Sequence, residues 1–251
     1  MTAVRPLHAL TAYCLALVLG LILLVLGEAL GGVASALGRV GGMQIGSLLA
    51  IVLVVILGSL GWRHSLGLYA CHHRAVAGSL LIGLALSLLI AATLAHLYRL
   101  GEAEEHARAV DEVLRETTQR IGPLGLAMVV VILAPLAEEL LFRGLILRGM
   151  LARFPPWAAI LISTALFAML HGHPVHATIT AVLGLACALL VIHGRSIWPA
   201  IALHCAYNGT TLGLDHLGFS EPLSLWTIPP ALTIMVIGVF LIRRQQSGKP
   251  G

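Results

Sequence analysis

Long apolar stretches separated by short polar ones run the length of the chain. Eight of them approach the roughly 20 residues that a helix needs to cross a hydrocarbon core: His8 to Gly27, Gln44 to Gly61, Ala75 to Tyr98, Gly122 to Phe142, Trp157 to Leu170, Val175 to Ile192, Ile197 to Leu214 and Leu225 to Ile242. The pattern predicts an all-α, polytopic membrane helix bundle of about eight transmembrane helices. It reads as a single integral membrane domain over residues 1–251, with no internal repeat or low-complexity run. Ala34-Ser35-Ala36 resembles a signal-cleavage site, but the apolar run before it is longer than an h-region of about 7 to 15 residues and predicts a retained first span. Gly27 and Gly31 have the small-xxx-small spacing of helix packing.

One polar segment interrupts the pattern, from Gly101 to Arg120. Glu104 with Arg108, Asp111 with Arg115 and Glu116 with Arg120 are acid-to-base pairs at i,i+4. They predict a short extramembrane helix, with a weak apolar stripe (Ala107, Val110, Val113 or Leu114, Ile121) docked on the membrane face or the bundle.

Composition agrees with a membrane protein: 59% of residues are hydrophobic, 10% are charged and mean hydropathy is +0.97, against about 25% charged in a soluble domain. Basic residues divide unequally between alternate loops. One side receives Arg5, Arg63, Arg74, Arg143, Arg148, Arg153, Arg195, Arg243, Arg244 and Lys249, and the other receives Arg39, Arg99, Arg108, Arg115 and Arg120. The positive-inside rule then predicts both termini in the cytoplasm. The net charge of +4 is a topology signal, and no basic cluster points to a nucleic-acid partner. The four cysteines, Cys14, Cys71, Cys187 and Cys205, stand at no metal or redox spacing.

The candidate chemistry lies inside the apolar stretches, where an ionisable side chain is costly and marks a function by default. Glu138 and Glu139 are adjacent within the fourth span, and Arg143 follows Glu139 at i,i+4. That spacing predicts a Glu139–Arg143 ion pair with Glu138 turned about 100° away, toward a cavity. Pro155 and Pro156 break the chain into a hairpin of spans four and five, which brings His171 level with Glu138, with Phe167 packed beside the imidazole. Ser196 and Pro199 start span seven, where His204 and Asn208 share a face. Glu138 with His171 can hold and deprotonate water, while His204 and Asn208 can donate to an oxyanion. No serine or cysteine is placed as a nucleophile, and no His-Glu-x-x-His zinc motif is present.

At these residues the sequence resembles the CAAX prenyl endopeptidase and bacteriocin-processing intramembrane proteases, the Abi or CPBP family. Its motifs Glu-Glu-x-x-x-Arg, Phe-x-x-x-His and His-x-x-x-Asn occur in order as Glu138-Glu139 to Arg143, Phe167 to His171, and His204 to Asn208. The resemblance covers about Val129 to Gly209 and puts the family-like core at about 122–214. It implies an eight-helix intramembrane endopeptidase open to the cytoplasm, with Glu138 and His171 activating water and His204 and Asn208 stabilising the oxyanion. The family has been read both as metal-dependent and as glutamate-dependent. No cofactor is favoured here, and zinc is the alternative, with Glu138, His171 and His204 as ligands. His173 and His176 stand near His171 in the turn between spans five and six. The implied partners are a peptide or membrane-protein substrate and the lipid bilayer.

Two other functions are compatible with the same residues: a non-catalytic membrane scaffold or immunity factor of the same fold, and, more weakly, a proton-coupled transporter. Transporters usually show repeated halves, whereas the intramembrane polar groups here all lie in the second half. The basic residues are all arginine except Lys249, a bias that suggests a GC-rich bacterial genome and an inner-membrane location.

Overall fold

The computed structural model describes residues 3–97, 102–217 and 224–246, and their side chains outside 94–108 and 244–246. Its helices are α1 (Pro6–Leu30), α2 (Gly32–Leu57), the single turn α3 (Trp62–Ser65), α4 (His73–Leu97) and α5 (Glu102–Ala127). A π-helical segment (Met128–Leu133), α6 (Ala134–Glu139), a second π-helical segment (Leu140–Ile146) and α7 (Leu147–Leu151) continue α5. Then come α8 (Pro156–Met169), α9 (Pro174–Gly194), α10 (Trp198–His216) and α11 (Ile228–Gln246). No strand occurs among the described residues, and the protein is a polytopic all-α membrane bundle.

Among the described residues, six stretches are long and apolar enough to cross a membrane: Pro6–Leu30, Gly32–Leu57, His73–Thr93, Ala109–Leu151, Pro174–Gly194 and Leu225–Arg243. The expected count of eight is not reached on this criterion. α8 has only 14 residues, and α10, diluted by His204, Asn208, Thr210, Thr211 and Asp215, is not among the six.

Proline sets several helix starts. Pro6, Pro156, Pro174 and Pro199 stand in the first turns of α1, α8, α9 and α10, where a missing N–H costs nothing. Glycine makes the first hairpin. Gly31 and Gly32 have φ of 67° and 58°, a region glycine enters without steric cost, so α2 begins at Gly32 and not near Gln44 as the apolar run suggested. Gly31 is thus the reversal itself, and Gly27 packs on α2, where a Cβ would meet the Ala34 carbonyl at 2.6 Å and Gly38 Cα at 3.1 Å.

The polar segment and the fourth span form one rod from Glu102 to Leu151, kinked at Gly122 (φ 75°, ψ 163°) just before Pro123. Its pairing differs from the i,i+4 expectation. Arg115 bonds Glu112 at 2.6 Å, and Glu116 bonds Arg39 of α2 at 2.6 Å; the Glu104–Arg108 pair lies outside the described side chains. Arg39 also binds Glu28 of α1 at 2.6 Å, so these groups share one end of the bundle.

The loop between α2 and α4 meets the other helix ends at the opposite end. Ile197 N–H donates to Gly67 O at 3.1 Å, and Ser196 Oγ donates to Tyr69 O at 2.7 Å. These contacts set Arg148 and Arg195 at one end and Arg39 and Arg115 at the other, whereas Arg143, counted with the first group of loop arginines, is buried in the core between them. In the interior, α1 packs along α2 and reaches the second π segment, α4 lies against α10 and α11, and α9 packs on α8 and α10. The centre is filled by Leu141, Phe142, Leu145, Phe167, Leu183 and Leu203, and Glu139 and Arg143 are fully buried among them.

Candidate active site inside the bundle

The acid pair occupies the last turn of α6, between the two π-helical segments. Such segments widen the backbone spiral and recur at functional sites. Each offers a carbonyl to a side chain on another helix: Asn208 Nδ2 donates to Val130 O at 2.9 Å, and Ser163 Oγ donates to Phe142 O at 2.9 Å. α10 and α8 are therefore tied to the rod on either side of the glutamates.

Glu139 and Arg143 are both 0% exposed, with Arg143 Nε 3.3 Å from Glu139 Oε2. Burial this complete is tolerated only when charges are paired. Arg143 Nη2 also donates to the Gly184 carbonyl at 2.7 Å, and the guanidinium lies 4.5 Å from the Phe167 ring centre, a cation–π contact. Gly184 lets this happen, since a Cβ there would meet Arg143 Nη2 at 2.7 Å and Phe167 Cδ1 at 2.9 Å.

His204 links the two glutamates. Its Nδ1 lies 2.8 Å from Glu139 Oε1, and because an ionised carboxylate only accepts, Nδ1 donates. Its Nε2 is 3.7 Å from Glu138 Oε2, too far for a direct hydrogen bond. Glu138 is 13% exposed, and its Oε1 accepts from Gln44 Nε2 of α2 at 3.3 Å.

His171 joins the cluster through Phe167. Its Nδ1 donates to the Phe167 carbonyl at 3.0 Å, which leaves Nε2 as an acceptor. The Phe167 ring stands edge-on to both imidazoles, with centroids 5.0 Å from His171 and 5.9 Å from His204. The His176 ring lies 5.0 Å from that of His171, and His173 is the residue before α9.

The fold thus gathers Glu138, Glu139, Arg143, Phe167, His171, His204 and Asn208 from three separate stretches of chain. The Glu139–Arg143 contact and the Phe167–His171 packing have the geometry that i,i+4 spacing predicts. Two features differ. Glu138 has a partner, Gln44, and His204 and Asn208 reach different atoms of the rod, one the acid pair and the other a backbone carbonyl. Gln44, Ser163 and Gly184 escaped the sequence reading. Gln44 was placed at a span end, where an amide is unremarkable, but α2 carries it thirteen residues past Gly31. Ser163 and Gly184 have no signal of their own in one sequence.

Among the described residues, no three His, Cys, Asp or Glu side chains gather in a way that would hold a metal ion. Glu138 Oε2 and His204 Nε2, 3.7 Å apart, set a carboxylate beside an imidazole nitrogen, a pair of groups able to take up and release protons.

Residues 120–210 match the family model described as Rce1-like, type II CAAX prenyl endopeptidase. No curated protein and no solved structure matches the chain. The matched segment contains both π segments, the acid pair and each of the two later motifs, so the likeness to the type II CAAX prenyl endopeptidase model rests on the part of the chain that holds the candidate site.

Proposed function

We propose that the protein is an intramembrane endopeptidase that hydrolyses a peptide bond of a membrane-associated peptide or protein, using water activated by Glu138 and His171 without a metal. The observation that carries this reading is the unequal burial of the adjacent acids: Glu139 is sealed and paired, while Glu138 keeps 13% exposure and stands 3.7 Å from His204 Nε2. Water held by Glu138 and His171 Nε2 loses a proton to Glu138 as its oxygen bonds to the substrate carbonyl carbon. The oxyanion accepts from His204 Nε2–H and from the Asn208 N–H not used on Val130. Glu138 then returns the proton to the leaving nitrogen as the C–N bond breaks. With a proton on His204 Nε2, the charges of Glu138, Glu139, Arg143 and His204 cancel, which limits the cost of burying them.

The arginine excess on the Arg5, Arg148 and Arg195 end supports that end as cytoplasmic, with both termini inside and an inner-membrane location in a bacterium. Purified Glu138→Gln protein, assayed on membrane-peptide substrates, should fold like wild type and lose cleavage by at least about 10²-fold, the scale of a general base. Full cleavage by that variant would remove the protease mechanism. A cellular phenotype that survives in folded Glu138→Gln would instead indicate a scaffold or immunity role.

A further inference from the structure

At the end of the bundle opposite Arg39, arginines collect with no acid among them in the described residues. The α2–α4 loop, the end of α7 and the α9–α10 turn meet there, with Arg148 Nη2 donating to Arg195 O at 2.9 Å. The guanidinium carbons of Arg63 and Arg148 each lie 5.7 Å from the centre of the Tyr69 ring. Gly67, at φ 68°, admits Arg148 to this place, because a Cβ on it would collide with the guanidinium. Among the described residues no Asp or Glu pairs with Arg63, Arg148 or Arg195, and Arg148 Nε is enclosed with no hydrogen bond. Two cations sharing one ring repel each other unless an anion joins them.

A second observation fixes the level of this cluster. Trp62, Trp157 and Trp198 stand in the first turns of α3, α8 and α10 on the same end, exposed by 44%, 67% and 43%. Exposed tryptophans at helix ends mark the headgroup layer, where the abundant anion is a lipid phosphate. The planar guanidinium fork fits phosphate oxygens two at a time.

We propose that Arg63 and Arg148, gathered around Tyr69, form a seat for the phosphate of an anionic lipid headgroup, with Arg195 at its rim. Arg148 is on the rod that carries Glu138, and Ser196 and Ile197 lead into the helix that carries His204. A bound headgroup would tie the α2–α4 loop to both catalytic helices from outside the site.

The test follows thermal unfolding of the full-length protein in a neutral detergent during titration with short-chain phosphatidylglycerol, phosphatidylcholine of the same chain length, or inorganic phosphate. Phosphatidylglycerol should raise the midpoint by about 2–4 °C, and the other two should not. Arg63→Gln, an exposed position, should abolish that rise, as should Arg63→Gln with Arg148→Gln. Arg153→Gln, exposed on the same end outside the cluster, should keep it. If Arg148→Gln lowers the midpoint by itself, the single Arg63→Gln variant decides. An equal rise with inorganic phosphate would make this a free-anion site and overturn the lipid assignment. A rise that persists in Arg63→Gln would also overturn it. So would an unchanged lipid response with a several-fold higher KM for cleavage in Arg63→Gln, which would give the arginines to a substrate carboxylate.

Discussion

Glu138 and Glu139 are chemically identical neighbours, yet a helix turns successive side chains about 100° apart and so gives them different surroundings. Glu139 faces Arg143 and His204 Nδ1 and has no exposure, while Glu138 faces Gln44 and the gap before His204 Nε2. Replacing Glu139 with Gln therefore strands Arg143 in the core and loosens the His204 tautomer. Breaking a buried pair from one side costs about 3–5 kcal/mol. Glu139→Gln should accordingly lower the unfolding midpoint as well as activity, in contrast to Glu138→Gln; parallel melts of the two variants in detergent check this, and a fully stable Glu139→Gln would reverse the assignment. The Glu139–Arg143 contact was legible from spacing alone, because i,i+4 contacts are local. The Glu138–Gln44 contact spans 94 residues, and spacing within one helix carries no information about which other helix lies alongside.

The elements depart from regularity where the site needs room. The helix that holds the acids is π-helical on both sides of them, and the carbonyls of Val130 and Phe142 are taken by Asn208 and Ser163. Hydropathy registers a long apolar run there and cannot register i→i+5 bonding, so the span was expected to stop at Phe142 whereas the rod continues to Leu151. The hairpin of α1 and α2 was obscured for a different reason: the stretch from Gly31 to Gly42 is rich in glycine and alanine, which reads as a loop but packs as a helix. Close approach also governs α9. Gly184→Ala should overpack the Arg143 and Phe167 side chains, cost about 1–3 kcal/mol and reduce cleavage. Gly213→Ala in α10, where a Cβ meets nothing within 4 Å, should leave stability unchanged or raise it by up to about 1 kcal/mol. Melting curves of the two variants separate a packing requirement at Gly184 from a general intolerance of helix glycines.

Across the molecule, polar contacts at the two ends sort the loops into two faces. Arg39 bridges Glu28 and Glu116 on one, and the backbone contacts of Gly67, Tyr69 and Arg195 close the other. Reporter fusions after Arg74 and after Arg195 should report the cytoplasm, and one after Glu116 the opposite compartment; a Glu116 fusion on the cytoplasmic side would sink the orientation. Arginine counts give that expectation because sidedness is a property of composition, whereas the number of full spans is hard to read from hydropathy, since α8 is short and α10 is diluted by polar residues beside the acids. The brevity of α8 matters beyond topology. Its 14 residues cover about 21 Å, against a hydrocarbon thickness of about 30 Å. A lipid-facing helix this short is met by local thinning of the bilayer, by snorkelling of its flanking residues or by packing against longer helices. His171 follows closely on that short apolar helix, so the proposed water-activating imidazole stands at its end rather than in the middle of a full-length one.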